Sequence, residues 1–318
     1  MLSIGEVCTG LLQHSAPVPS ARATELLDLV AGEEVRRSER PIAHASSPSR
    51  LTGVDCRLLP GGGTRGRVVG TVSSRATITG GHVVQGSAFT EVHRSPVNFR
   101  LPWSHYLARP GRLELFGKAD WDAFADGLLS NQPRADGLDV GTIANRAMDA
   151  VQQAPTLDRA APFRMPRTRL RWVGQPGPAD DSGRGATPTV HLAVHDTTLR
   201  TLRVRIDGVP LPQLVELCED LALHDWLLTA LLELTRRSDL GAAPRAEAVS
   251  RLRPAIDYLL HLWMPGARIA EEVAPLWAGL ERRPGFSRQW ASLVSRIRDQ
   301  ITLATLAEVT GQPTPSSR

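Results

Sequence analysis

The stretch ATITGGHVVQ, Ala76 to Gln85, consists of two short β-branched runs joined by Gly80-Gly81. Ile, Val and Thr suit a pleated strand, and a Gly-Gly pair supplies the positive φ angles of a tight hairpin turn. The segment reads as a β-hairpin, and that reading decides the class of fold around it. Just upstream, LPGGGTRGRVVG (59–70) places Gly61, Gly63 and Gly66 at the G-x-G-x-x-G spacing of a dinucleotide-binding turn. Gly61 and Gly66 also match the two glycines of a P-loop. Both motifs work only where the glycine turn opens a helix whose N–H groups meet a phosphate. Here the next residues are RVVGTVSSRATIT, a β-branched run that opens a strand instead. Arg67 and Val68 stand where a P-loop needs Lys and then Ser or Thr. The glycine stretch therefore reads as a connection between strands, and no cofactor is expected.

Outward from the hairpin, residues 1–118 read as a β-rich domain with one helix. RPIAHA, LTGVDCRL, VVGTVSS and VVQGSAFTEV are Val-, Thr- and Ile-containing runs separated by turn residues. Tyr106 to Phe116 reads as a second hairpin, turning at Pro110-Gly111. The helix has Ser20 as N-cap, Leu26, Leu27 and Val30 on its apolar face, and Gly32 at its end. Residues 119–173 form a helical segment and a strand: Asp120 and Asp139 cap two helices, and TRLRWV comes after them. Residues 174–188, GQPGPADDSGRGATP, have the composition of a flexible surface loop. Residues 189–310 begin with two strands, TVHLAVH and LRTLRVRIDG, and continue from Leu211 as a bundle-like helical region broken at Pro244, Pro265 and Pro284. Residues 311–318 read as a disordered tail. The expected fold class is α+β: a β-rich N-terminal half, then a small sheet followed by a helical C-terminal half. The pattern leaves open whether the halves form one domain.

A chain of 318 residues, 42% hydrophobic and 22% charged, has the composition of a folded protein with a sizeable core. The net charge of +4 is a mild excess that does not by itself demand nucleic acid. Lys118 is the only lysine, so the basic character is almost wholly that of arginine, whose planar fork matters where arginines cluster. Cys8, Cys56 and Cys218 are widely separated and odd in number, which gives no sign of a disulfide framework and favours a reducing compartment. The N-terminal MLSIGEVCTGLL carries Glu6 where a signal peptide carries positive charge. No uninterrupted apolar run of about 18 residues occurs. The expectation is a cytoplasmic protein with no membrane partner.

Several residue groups invite chemistry. His191 and His195 suggest a metal site, but on a strand the two lie about 13 Å apart, too far to share one zinc ion, and no metal is expected. Ser104-His105 suggests a nucleophile and base, but neighbours on a strand point to opposite faces. Glu216 and Asp220, at i and i+4 on a long helix with His224 beyond, could act as acid and base if burial separated their pKa values. The competing reading is a solvated acidic stripe opposite Leu214, Leu217, Leu221 and Leu228, with Cys218 as a small core residue. The most informative pattern is an alternation. Arg167, Arg169 and Arg171 alternate with Leu170 and Trp172, Arg203 and Arg205 with Leu202, Val204 and Ile206, and His191 and His195 with Val190, Leu192 and Val194. If these strands share a sheet, one face is apolar and covered by the helices after 211. The other then carries five arginines, a candidate surface for an anionic partner. It lacks the interleaved aromatics of a single-stranded nucleic-acid platform.

The stretches GEVCTGLLQHS (5–15), LTGVDC (51–56), TITGGHVVQGSA (77–88), PWSHYLARPG (102–111) and LCEDLALHDWLLTALL (217–232) together resemble an uncharacterised, conserved family of actinobacterial, Streptomyces-type proteins over nearly the whole chain. Members of that family are encoded beside a variant P-loop protein. The resemblance implies a cytoplasmic protein that works with partners encoded nearby, with that P-loop protein as one candidate, and it assigns no catalytic residue. The functional expectation is a non-enzymatic interaction or scaffold component of a multi-protein system. The alternative is a binding module for nucleic acid or another polyanion through the arginine face, and a third reading is a hydrolase built from Glu216, Asp220 and His224.

Overall fold

The computed structural model describes residues 1–58, 66–117, 120–130, 137–177, 187–238 and 245–310. Residues 59–65 of the glycine stretch, Lys118, most of the 174–188 loop and the 311–318 tail lie outside the described residues.

In chain order the elements are β1 (Leu2–Leu11), α1 (Ser20–Leu27), β2 (Arg36–Ser38), β3 (His44–Ser46), β4 (Arg50–Leu58), β5 (Gly66–Thr79), β6 (Val83–Arg94), α2 (Trp103–Leu107) and β7 (Arg112–Phe116). They continue as α3 (Trp121–Leu129), α4 (Val140–Gln152), β8 (Thr168–Gln175), β9 (Thr189–Val194), β10 (Leu199–Arg205), α5 (Leu211–Arg237), α6 (Arg245–Tyr258), α7 (Ala274–Arg282) and α8 (Phe286–Thr310).

The Gly80-Gly81 hairpin forms, with arms of 14 and 12 residues. Gly80 and Gly81 have φ of 59° and 69°. Thr79 pairs with Val83, so His82 joins the two glycines in the loop. From Gly66 the chain runs on as strand β5, as the β-branched run requires. The long β5 is shared: along one edge it pairs with β4 and then β3, along the other with β7 and then β6.

The expected small sheet is not separate. The β1 strand pairs antiparallel with β6 on one side and with β8 on the other, joining both halves of the chain into one sheet of ten strands. Its order is β2-β3-β5-β7-β6-β1-β8-β10-β9, with β4 also on β5. The β1 segment shows no polar alternation because it is buried on both faces, and such strands lose the period-two signal. The Tyr106–Phe116 segment is not a hairpin either. Pro102, at φ −59°, opens the short helix α2, and β7 runs parallel to β6 rather than folding back on itself. Asp120 and Asp139 do cap their helices, accepting from the amides of Ala123 at 3.3 Å and Thr142 at 2.8 Å. Helix α1 starts at Ser20, with Pro19 in the cap position, and ends at Leu27, before Gly32.

Helices lie on both faces. Ile4, Val72, Val84 and Ala88 of the sheet pack under α4 and α1, meeting Ile143, Met148 and Leu27. The backbone of α4 comes down on Gly86, where a Cβ would stand 2.1 Å from the Ala144 carbonyl oxygen. On the other face Val7, Leu170, Trp172, Leu202 and Val204 pack under α5. Helices α6 and α8 pack on α5, and α7 closes against α8 and β9. Eighteen of the 27 residues of α5 are buried. A helix covered on both sides has no solvated stripe, so Glu219, Asp220 and Asp225 of α5 lie inside the protein, while Glu216 is exposed and Glu233 half-buried.

Candidate functional site

The α5 face of the sheet changes character along its width. Under β8 and β10 it is apolar except at Arg200, which is buried and pairs with Asp225 of α5 at 2.9 Å, whereas under β5, β6 and β1 it carries Arg75, Thr77, Gln85, Ser87 and Thr9, all buried. Buried polar groups need partners, and α5 supplies them. Arg75 holds Glu219 in a two-point pair, Nε donating to Oε1 at 2.8 Å and Nη2 to Oε2 at 2.6 Å. The Ser87 hydroxyl donates to the same carboxylate. Gln85 Nε2 donates to the Glu219 carbonyl at 2.9 Å and to Thr9 Oγ1 at 3.1 Å. Burial alone would raise the Glu219 pKa; the Arg75 guanidinium and the Ser87 hydroxyl outweigh it and hold the carboxyl below its ordinary value.

A cleft of about 280 Å³ opens beside this pair, between the β2–β3 edge and α5. Arg36, Arg37, Arg75 and Arg268 line it together with Glu216 and Glu219, so four guanidiniums face two carboxylates. His44 stands in the wall, Nδ1 at 3.0 Å from Thr79 Oγ1 and Nε2 at 3.2 Å from Ser46 Oγ. Burial, then the Arg268 and Arg75 charges, push its pKa down to about 3, against the opposing pull of Glu219 and Asp220. Ser46 and His44 thus have the spacing of a nucleophile and base, but a general base works best with a pKa near the operating pH. The cleft presents positive charge and neutral donors, which is binding chemistry.

Asp220 and His224 come together deeper in α5, His224 Nδ1 lying 2.7 Å from the Asp220 carbonyl oxygen and 3.4 Å from its carboxylate. Asp220 also accepts from the Gly266 amide at 3.0 Å and faces Arg268 at 3.7 Å. The imidazole sits edge-on to Trp263 and Trp277. The cavity beside it is about 10 Å³, room for one water at most. Glu216 lies apart at the rim of the basic cleft. These three residues do not converge on a space that could hold a substrate. Ser104 and His105 do not pair: Ser104 is exposed, and His105 Nε2 is bound to Glu114 Oε1 at 2.6 Å.

The alternating strands do share one sheet, with their apolar residues under α5 and their arginines on the opposite face. That face is partly covered, its arginines paired with acidic groups. Arg171 pairs with the buried Glu6 at 2.8 Å, Arg169 approaches it at 3.6 Å, and Arg167 meets Asp149 of α4 at 2.7 Å. Arg203 pairs with Asp122 and Asp126 of α3, and Arg205 with Asp122 at 3.1 Å. Five guanidiniums therefore face four carboxylates, leaving a small excess for any partner. The alternation marks the face but carries no sign of the acidic helices that partly cover it. His191 faces Arg203 across the β9–β10 pair, and His195 Nε2 is 2.8 Å from Thr201 Oγ1. Among the described residues, no group of three or more His, Cys, Asp or Glu side chains is placed to hold a metal, and no helix is long and apolar enough to cross a membrane.

A third feature was not legible in the sequence. Between β9 and the loop after it, the C-terminal half of α5, and α8 lies a groove of about 1070 Å³. Its walls include Met165, Val194, Leu232 and Leu293, with Val194 63% and Leu232 47% exposed. At its rim Arg236 and Arg237 share the single carboxylate of Glu233. Among the described residues no carboxylate lies within 4.0 Å of Arg296. Asp196, also at the rim, spends one carboxylate oxygen on the amides of Thr198 and Leu199. No protein-family model, curated protein or solved structure matches the chain.

Proposed function

We propose that the protein is a non-enzymatic interaction component of a multi-protein system, and that the groove between β9, α5 and α8 receives an apolar, acid-flanked segment of a partner protein. The observation that carries this reading is the groove itself: large apolar side chains left half-exposed in one concavity under a rim of arginines. Contiguous apolar surface bordered by polar groups marks protein-binding sites, and the rim charge favours an acidic partner. On the family resemblance, that partner is a cytoplasmic protein encoded nearby, and the variant P-loop protein is the first to test.

The experiment is purification of the tagged protein from its host, with and without nuclease, comparing the natural chain with Leu232→Glu. A stoichiometric protein partner is expected with the natural chain and absent from Leu232→Glu, since losing a buried apolar anchor costs about 2 kcal/mol or more of binding. Leu232 is half-exposed, so the variant should keep its fold, which a thermal melt checks. Copurifying nucleic acid that dissociates as salt rises would instead favour the polyanion reading through the partly exposed Arg167, Arg169 and Arg205. A partner retained equally by Leu232→Glu would remove the groove from the account.

A further inference from the structure

We infer that the basic cleft between the β2–β3 edge and α5 is a binding site for a phosphate group, held by Arg36 and Arg268 with help from the Ser46 hydroxyl. This site is separate from the groove, and neither proposal depends on the other.

Charge in the cleft is unevenly spent. Arg75 is saturated by its two-point pair with Glu219 and forms a neutral floor. Arg268 is 3.7 Å from Asp220, a loose contact, and its side chain is 23% exposed. Among the described residues, no carboxylate lies within 4.0 Å of Arg36 or Arg37. Glu216 is exposed at the rim, where water solvates it. An unspent guanidinium in a concave, partly dry setting attracts an oxyanion more strongly than one on open surface.

Geometry favours phosphate over a planar carboxylate. In the β2–β3 register Arg36 stands opposite Ser46, and Ser38 opposite His44, so these four residues share the cleft face. Arg268 approaches from the connection between Gly266 and α7, on the other side of the space. Donors converging from two strands and a loop suit a tetrahedral group with several acceptor oxygens, whereas one arginine fork satisfies a carboxylate. The volume of about 280 Å³ has room for a phosphate with a small substituent.

The test is titration of the full chain with inorganic phosphate, phenyl phosphate and acetate by calorimetry, with the His44 ring followed by NMR. Expected is phosphate binding with Kd of about 1 mM or tighter, acetate at least about tenfold weaker, and Arg36→Gln and Arg268→Gln each weakening phosphate about tenfold. The groups facing the His44 ring are Arg75 and Thr79 from β5, Ser46 from β3, Glu219 and Asp220 from α5, and Arg268. Neutralising the arginines among them with a dianion should move its pKa up from about 3. Phenyl phosphate binding as well as phosphate or better identifies a phosphate monoester as the ligand; phosphate alone identifies the free ion. The inference is overturned if neither phosphate binds, if acetate binds equally, or if both variants bind phosphate as the natural chain does. Arg36 lies on an exposed edge strand, so Arg36→Gln keeps the test valid should Arg268→Gln misfold.

Discussion

His44 shows how one residue reports its surroundings. Its folded pKa of about 3 lies below the ordinary 6.5, because burial and the neighbouring arginines disfavour the charged ring. Between those values the unfolded chain binds a proton that the folded chain refuses, so this contribution to stability is complete above 6.5 and is lost as pH falls toward 3. His82, pushed down to about 4 by burial and His261, acts in the same direction. On going from about pH 7 to about pH 5, urea unfolding should show the natural chain losing about 2 kcal/mol more stability than His44→Gln. Arg75 and Glu219 make a second residue-scale case. Each side chain is only 5% exposed, so removing one leaves a buried charge without its partner. Arg75→Met should cost about 3–5 kcal/mol, and adding Glu219→Leu should restore much of it. Equal denaturation midpoints for the single and double variants would show that the pair is not coupled.

At the scale of elements, the contact between α4 and the sheet is set by absence of a side chain. A Cβ on Gly86 would stand 2.1 Å from the Ala144 carbonyl and 2.7 Å from the Met148 amide nitrogen. Helix backbone cannot yield there as the end of a flexible side chain could, so α4 must lift. Gly86→Ala should cost about 1–3 kcal/mol by overpacking, read as a lower midpoint in thermal melts. A Gly32→Ala control meets no atom within 4 Å and carries only the strain of φ 81°, about 1 kcal/mol. Elements also divide by how well their sequences announce them. The caps at Asp120 and Asp139 and the arginine alternation of β8 and β10 are local patterns, and they stand where the sequence places them. The α2 helix and the burial of α5 are not local. Helix α2 packs on β5, with the Trp103 ring against Gly53 of β4, and α5 is enclosed by strands and helices distant from it in the chain.

For the molecule as a whole, the decisive contact is β1 between β6 and β8. It makes the N-terminal strands and the C-terminal helices share one sheet, so the two halves have no independent core boundary at residue 118. Unfolding is expected to be a single cooperative transition. Tryptophan fluorescence, which reports Trp172 in the sheet and Trp263, Trp277 and Trp290 in the helical layer, should give the same midpoint as far-ultraviolet circular dichroism. Two separated midpoints would mean that the helical layer melts apart from the sheet.

The sequence by itself determined the mixture of strands and helices, the hairpin at Gly80-Gly81, the strand rather than helix after the glycine stretch, and the arginine and apolar faces of β8 and β10. These are properties of neighbours in the chain: turn chemistry, β-branching, capping and period-two alternation act within a few residues. Tertiary structure alone decided which face meets which helix. It buried Asp220 and His224 inside α5, partly covered the arginine face with Asp122, Asp126 and Asp149, and left Arg36 and Arg268 beside an open cleft. Charge and burial depend on distances through space, and residues such as Arg75 and Glu219 become partners only when a strand and a helix 144 positions apart close on one another.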